Sequence, residues 1–162
     1  MKQLNDIFPN ATVPGTIEPF MHKGEWAIHN VLPILLDTFG QSDIRLTTFN
    51  VSEDSLRALF FCIEADKIRS LQMLVDMTIK RHKLGLYLFA HNITPDIRID
   101  SCHAKLLLVK NERYQFGIVG SANLNHNHRW ENGFYFTAGT HFDYFWNQFE
   151  TAYQSSLPYD IG

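Results

Sequence analysis

Residues 102–123 run Cys-His-Ala-Lys-Leu-Leu-Leu-Val-Lys-Asn-Glu-Arg-Tyr-Gln-Phe-Gly-Ile-Val-Gly-Ser-Ala-Asn, from Cys102 to Asn123. Two apolar runs, His103–Val109 and Tyr114–Val119, flank the polar Lys110-Asn111-Glu112-Arg113. That pattern predicts a hairpin. From Ala104 to Val109 only Lys105 is polar, so both faces of the first strand are covered and it belongs near the centre of a sheet. Upstream, Ile44 and Leu46 alternate with Arg45, Thr47 and Phe49, which predicts a strand over 43–51. Ser52 then caps a helix with Glu53 and Asp54 in its first turn and Leu56, Leu59, Phe60 and Ile63 on its inner face. A strand over Ile68–Val75 completes a βαβ unit with parallel strands.

Further out, Ile28, Val31, Leu32, Leu35, Leu36 and Phe39 form one helical face closed by Gly40. Pro33 inside it predicts a kink or the helix's real start. Residues 77–91 fit a helix better than a strand, and a short strand is expected over Asp96–Asp100. Asn132–Ala138 reads as another strand, and Thr140 as the cap of a last helix with the stripe Phe142, Phe145, Trp146, Phe149 and Tyr153. Pro9, Pro14, Gly15 and Pro19 make 1–23 an irregular lead-in. The class is α/β, a central mixed sheet with helices on both faces.

The chain's 162 residues make one domain, 1–162, and 45% apolar residues exclude a disordered scaffold. Cys62 and Cys102 cannot supply a disulfide framework. The longest apolar runs, 31–36 and 84–90, fall short of the ~20 residues that span a bilayer. No signal-like segment opens the chain, so a cytoplasmic protein without a membrane partner is expected. The net charge of −3 argues against a protein that coats nucleic acid. The charge is uneven, however: residues 1–76 carry 6 basic and 10 acidic side chains, 77–131 carry 8 and 4, and 132–162 carry none and 3.

Period two places His103 and Lys105 on one face, where an ammonium can hold an anion beside an imidazole acting as nucleophile or base. Gly120-Ser121-Ala122-Asn123 adds a hydroxyl and an amide, and the hairpin returns them to the neighbourhood of His103. Gly120 permits a sharp turn and close backbone approach to a ligand. Taken singly, His-x-Lys is more often a core histidine with a snorkelling lysine, and Gly-Ser-x-Asn an ordinary turn. Together, at this spacing, they arise by background composition in about one chain in a thousand.

The pattern His103-x-Lys105 followed by Gly120-Ser121-x-Asn123, with Glu131 a little beyond, resembles the phospholipase D superfamily, closely over residues 100–138. Chain length and βαβ order are similar to the short, single-motif branch, which includes nucleases. The resemblance implies a phospholipase D-like α/β/α sandwich and a phosphodiesterase, with nucleic acid favoured over phospholipid. In that family's mechanism His103 forms a phosphohistidine, Lys105 and Asn123 bind phosphate oxygens, Ser121 bonds the phosphate or its neighbours, and Glu131 accepts from the other nitrogen of His103. It implies no metal and no cofactor. It also implies a homodimer, because the leaving alkoxide needs a second histidine and one chain holds one motif. The family's aspartate falls at position 110, where this chain has Lys110; Asn111 or Glu112 is the local substitute.

His126, His128 and Arg129 follow the turn and read as substrate-binding residues or as a solvated loop. A zinc site with Cys102 or His103 is disfavoured, because adjacent strand residues point to opposite faces. Ser121 lacks the flanking glycines of a hydrolase elbow, and Cys102 reads as a small buried apolar residue. Lys80-Arg81-His82-Lys83 is a solvated helix face or part of a phosphate-backbone track. Two other readings compete with the nuclease: an inactive phosphate-binding module, and a phospholipid hydrolase or transferase.

Overall fold

The computed structural model describes residues 2–158, His82 by its backbone alone. The elements in chain order are α1 (Leu4–Ile7), β1 (Ile17–Lys23), α2 (Ile28–Phe39), β2 (Ser42–Thr48), α3 (Glu53–Glu64), β3 (Ile68–Asp76), α4 (Thr78–His82), α5 (Leu84–Ile93), β4 (Ile97–Asp100), β5 (Leu106–Lys110), β6 (Gln115–Gly120), β7 (Trp130–Thr137), α6 (Thr140–Ser155) and β8 (Leu157–Pro158). The eight strands form one mixed sheet in the order β1-β7-β6-β5-β2-β3-β4-β8. β2, β3 and β4 are mutually parallel, and every other pairing is antiparallel.

Period-two alternation divides the strands between two cores. Ile44, Leu46, Leu71, Met73, Val75, Leu107, Val109, Phe116 and Ile118 pack against α2, α3 and α5. Leu74, Leu106, Leu108 and Phe136 pack against Phe142, Phe149 and Tyr153 of α6. Right-handed crossovers that step one way across a sheet leave their helices on one face, which is how α3 and α5 come to share a side. The other face is left to α6. Both strands of the predicted hairpin form, and β5 lies fourth of eight, as its two-sided apolarity demands.

Several expectations are corrected. Residues 1–23 are not an irregular lead-in: they contain α1 and the edge strand β1, antiparallel to β7. Pro19 is tolerated there because an edge strand has one unpaired side. α2 starts at Ile28, so Pro33 marks no start; its missing N–H leaves one internal turn without its bond. On α3 the buried set is Ser55, Leu56, Leu59 and Cys62, while Phe60 is 39% exposed. Residues 77–91 split into α4 and α5. The cap of α6 is Gly139, with φ +152°, and not Thr140. β5 starts at Leu106, so His103 and Lys105 precede the strand, and β2 stops at Thr48, which leaves Phe49 in a loop.

Candidate active site

The segment 102–105 hangs from three strands. Asp76, at the end of β3, accepts from the Cys102 amide through Oδ2 at 2.9 Å and from the Thr78 amide through Oδ1 at 2.9 Å. Thr47 Oγ1 donates to the Ala104 carbonyl at 3.0 Å, and the Gly120 amide to the Lys105 carbonyl at 3.4 Å. Burial alone raises the pKa of Asp76, but the Thr78 and Cys102 donors outweigh it and hold its carboxyl below the usual range. Cys102 is buried, and burial pushes its thiol up, which leaves a poor nucleophile. His103 is exposed. Lys105 Nζ lies 3.1 Å from His103 Nδ1 and 3.4 Å from Nε2, and donates to the His103 carbonyl at 2.9 Å. The imidazole and the ammonium therefore meet at one point of the surface, although neither sits in a regular strand.

The second half of the site depends on a pair of glycines. Gly120 faces Gly133 across β6 and β7. A Cβ on Gly120 would lie 2.4 Å from the Asn132 carbonyl oxygen, and one on Gly133 would lie 2.3 Å from the Val119 oxygen. Gly120 thus serves the approach of two strands rather than the approach of a ligand. That approach sets Ser121 against Glu131: Ser121 Oγ donates to Glu131 Oε2 and accepts from the Asn132 amide at 3.0 Å. Asn127 Nδ2 donates to Glu131 Oε1 at 3.3 Å. Both carboxylate oxygens of Glu131 are thus engaged by the Gly-Ser-x-Asn turn and the loop after it. Asn123 is half-buried, and its Oδ1 has no hydrogen-bond partner.

His103, Lys105, Gly120 and Ser121 open into one cleft of about 910 Å³, whose far wall is Tyr144, Phe145, Gln148 and Phe149 of α6. The remaining predicted residues, Asn123, Glu131, His126, His128 and Arg129, do not line it. His126 Nε2 lies 3.4 Å from the Gly24 carbonyl and its ring packs edge-on to His128; the Arg129 amide donates to Asn127 Oδ1 at 2.9 Å. They form a loop seated on Gly24, where a Cβ would meet the Asn127 oxygen at 2.7 Å. Among the described residues no group of three or more His, Cys, Asp or Glu is placed to hold a metal ion.

At the departure from the family pattern, Lys110 stacks over the Trp146 ring at 4.9 Å, with Arg45 at 4.9 Å from the same ring. Asn111 supports the turn: its Nδ2 donates to the Phe39 carbonyl at 2.8 Å and to Ser42 Oγ at 3.1 Å, and its Oδ1 accepts from the Arg113 and Tyr114 amides at 2.9 Å each. Glu112 instead pairs with Arg69. Sequence reasoning missed Asp76 and Phe49. Asp76 ends an apolar strand with an acid at its carboxyl end, a signal that was available.

A mixed eight-stranded sheet with helices on both faces and this cleft defines a phospholipase D-like fold. The chain is similar to a solved phospholipase D family member, Nuc from Salmonella typhimurium, with TM-score 0.67 and 15% identity over 89% of this chain and 99% of that one. It is similar also to NucT from Helicobacter pylori, with TM-score 0.63 and 11% identity over 89% and 100%. A part of polyphosphate kinase from Porphyromonas gingivalis matches as well, with TM-score 0.61 and 14% identity over 90% of this chain and 27% of that one. No family model matches the sequence, and no curated protein matches it.

Proposed function

We propose that the chain is a metal-independent phosphodiesterase, a nuclease, that works through a covalent phosphohistidine in a site completed by a second copy. The observation that carries this reading is the convergence of His103, Lys105 and Ser121 in one open cleft on a phospholipase D-like fold. In the first step a ring nitrogen of His103 attacks phosphorus, the bond from phosphorus to the leaving oxygen breaks, and that oxygen takes a proton from the partner copy's histidine acting as acid. In the second step water attacks the phosphohistidine and gives its proton to that same histidine. The P–N bond breaks, and a phosphomonoester leaves. Lys105 and Asn123 stabilise the charge on phosphorus, and Ser121, steadied by Glu131, donates to a phosphate oxygen. His126, His128 and Arg129 belong to a flanking loop that meets the substrate further along. No helix among the described residues is long and apolar enough to cross a membrane.

The experiment is hydrolysis of an oligonucleotide in EDTA. Wild type cleaves it and His103→Ala does not, with a phosphohistidine trapped on wild type by a denaturing alkaline quench, since its P–N bond survives base and is lost in acid. Activity that disappears with EDTA sinks the mechanism. Binding without cleavage by wild type favours the inactive phosphate-binding module. Light scattering checks the dimer, and a monomer at assay concentration with full activity rules out the shared site.

A further inference from the structure

Phe49 stands just past the end of β2 and was no part of the motif. Its ring centroid lies 5.0 Å from that of His103 at an interplanar angle of 52°, with Lys105 Nζ 6.0 Å from its centre. The residue is 38% exposed, so the ring also meets solvent beside the reacting group. Its loop is held in place. Thr48 Oγ1 donates to the Asn50 carbonyl at 2.7 Å and accepts from the Leu124 amide at 3.0 Å. Val51 bridges Leu124, and the Ser52 amide donates to the Leu124 carbonyl at 3.0 Å. At the residue after Phe49, Asn50 Oδ1 accepts from Lys83 Nζ at 2.6 Å. Lys83 is exposed, as are Lys80 and Arg81 on the neighbouring α4. The nearby carboxylate of Glu53 is taken by Arg57, which leaves Lys83 uncompensated by it.

An exposed aromatic ring against His103, followed in the chain by an asparagine that holds the Lys83 ammonium, offers a plane for a base and a cation for a neighbouring phosphate. We propose that Phe49 and Lys83 form a nucleotide subsite beside the reacting phosphate, the ring stacking an unpaired base and the ammonium holding the next phosphate, which makes single-stranded nucleic acid the substrate class. A paired base keeps its faces inside the duplex stack, so the ring selects strands whose bases are free. The positive segment 77–131 gains a use: α4 continues the track away from the cleft. This inference rests on the phosphodiesterase reading for its cleavage test and is independent of it for its binding test.

The cleavage test compares oligothymidylate with an abasic strand of the same length. Phe49→Leu is expected to lower kcat/KM on oligothymidylate about tenfold and to leave the abasic strand unchanged, and Phe49→Trp to restore the loss. The binding test uses the same two strands, fluorescently labelled, on a His103→Ala background that leaves them intact. Lys83→Ala should weaken both equally and reduce the slope of log affinity against log salt by about 0.7. Equal loss on both strands from Phe49→Leu overturns the subsite, because it shows that the ring only packs His103. A wild-type protein that prefers duplex overturns it too. Wild type that binds oligothymidylate through Phe49 yet cleaves nothing defeats the phosphodiesterase reading and leaves the subsite standing.

Discussion

Asp76 is the residue on which the geometry of His103 turns. It is 6% exposed and accepts two amide hydrogens, one from the residue next to His103. Replacing it with alanine removes the acceptor of the buried Cys102 amide and of the Thr78 amide. Asp76→Ala should cost about 1–3 kcal/mol of stability. On the proposed mechanism it should also lower kcat on an oligonucleotide more than it raises KM, because Lys105 and Ser121 stay while the segment that carries His103 loses its support. Chemical denaturation and steady-state kinetics check both. Its lowered carboxyl gives stability that is complete above the unfolded aspartate range near pH 4 and is lost as pH falls through the folded value. An acid at the end of an apolar strand was visible in the sequence, but what it holds was not, because the partners of Asp76 are backbone amides, and a backbone amide carries no residue identity. His103, Lys105 and Ser121 were picked out by side-chain type and spacing, and Glu131 only by the family resemblance.

At the scale of elements, β5 and α6 carry the consequence of Lys110. On β5 the residue lies opposite Asp43 of β2, and its chain runs to Trp146 of α6. Restoring the family's aspartate there therefore does not restore a function. Lys110→Asp puts a carboxylate across from Asp43 and removes one cation from the Trp146 face. It is expected to cost about 1 kcal/mol of stability and to leave kcat/KM unimproved, as thermal melts and oligonucleotide hydrolysis would show. A rise in activity would mean that position 110 acts on the chemistry. α6 matters to function because its inner stripe closes one core while Tyr144 and Phe145 wall the cleft. The stripe was readable from its 3.6-residue period. Phe60 was misplaced for the same reason that period works: it lies near the edge of the apolar arc on α3, where spacing cannot distinguish a buried position from an exposed one.

At the scale of the whole molecule, two buried histidines set a lower limit on the pH at which the fold is stable. His22, on β1, is 4% exposed and its two ring nitrogens have no partners. Burial lowers its pKa, and Lys2 adds to this, while Glu25 and Glu131 oppose it. His29, on α2, is lowered by burial and by His126, against Asp54. Both bind a proton more readily unfolded than folded. The stability they confer is present above about pH 6.5 and is lost as pH falls through their lowered folded values, by at most about 1.4 kcal/mol per histidine per pH unit. The melting temperature should fall between pH 7 and pH 5, and His22→Leu should flatten that fall. An unchanged melting temperature across that interval would show that these rings find partners when protonated. His22 pairs with Glu131 in register, so acid destabilises the fold beside the site.

The sequence by itself determined the α/β class, the central hairpin and the parallel βαβ unit, and it offered the candidate site residues. These follow from period, side-chain type and spacing, which are local properties. It did not determine that residues 17–23 form the sheet's edge, since Pro19 and the flanking glycines break the local signal and only pairing with β7 makes the strand. Nor did it show that Gly120 is needed by a neighbouring strand, that Asp76 orients Cys102, or that Phe49 meets His103. Each of those is a contact between segments distant in the chain, and only the closing of the sheet and the packing of its helices decide which segments meet.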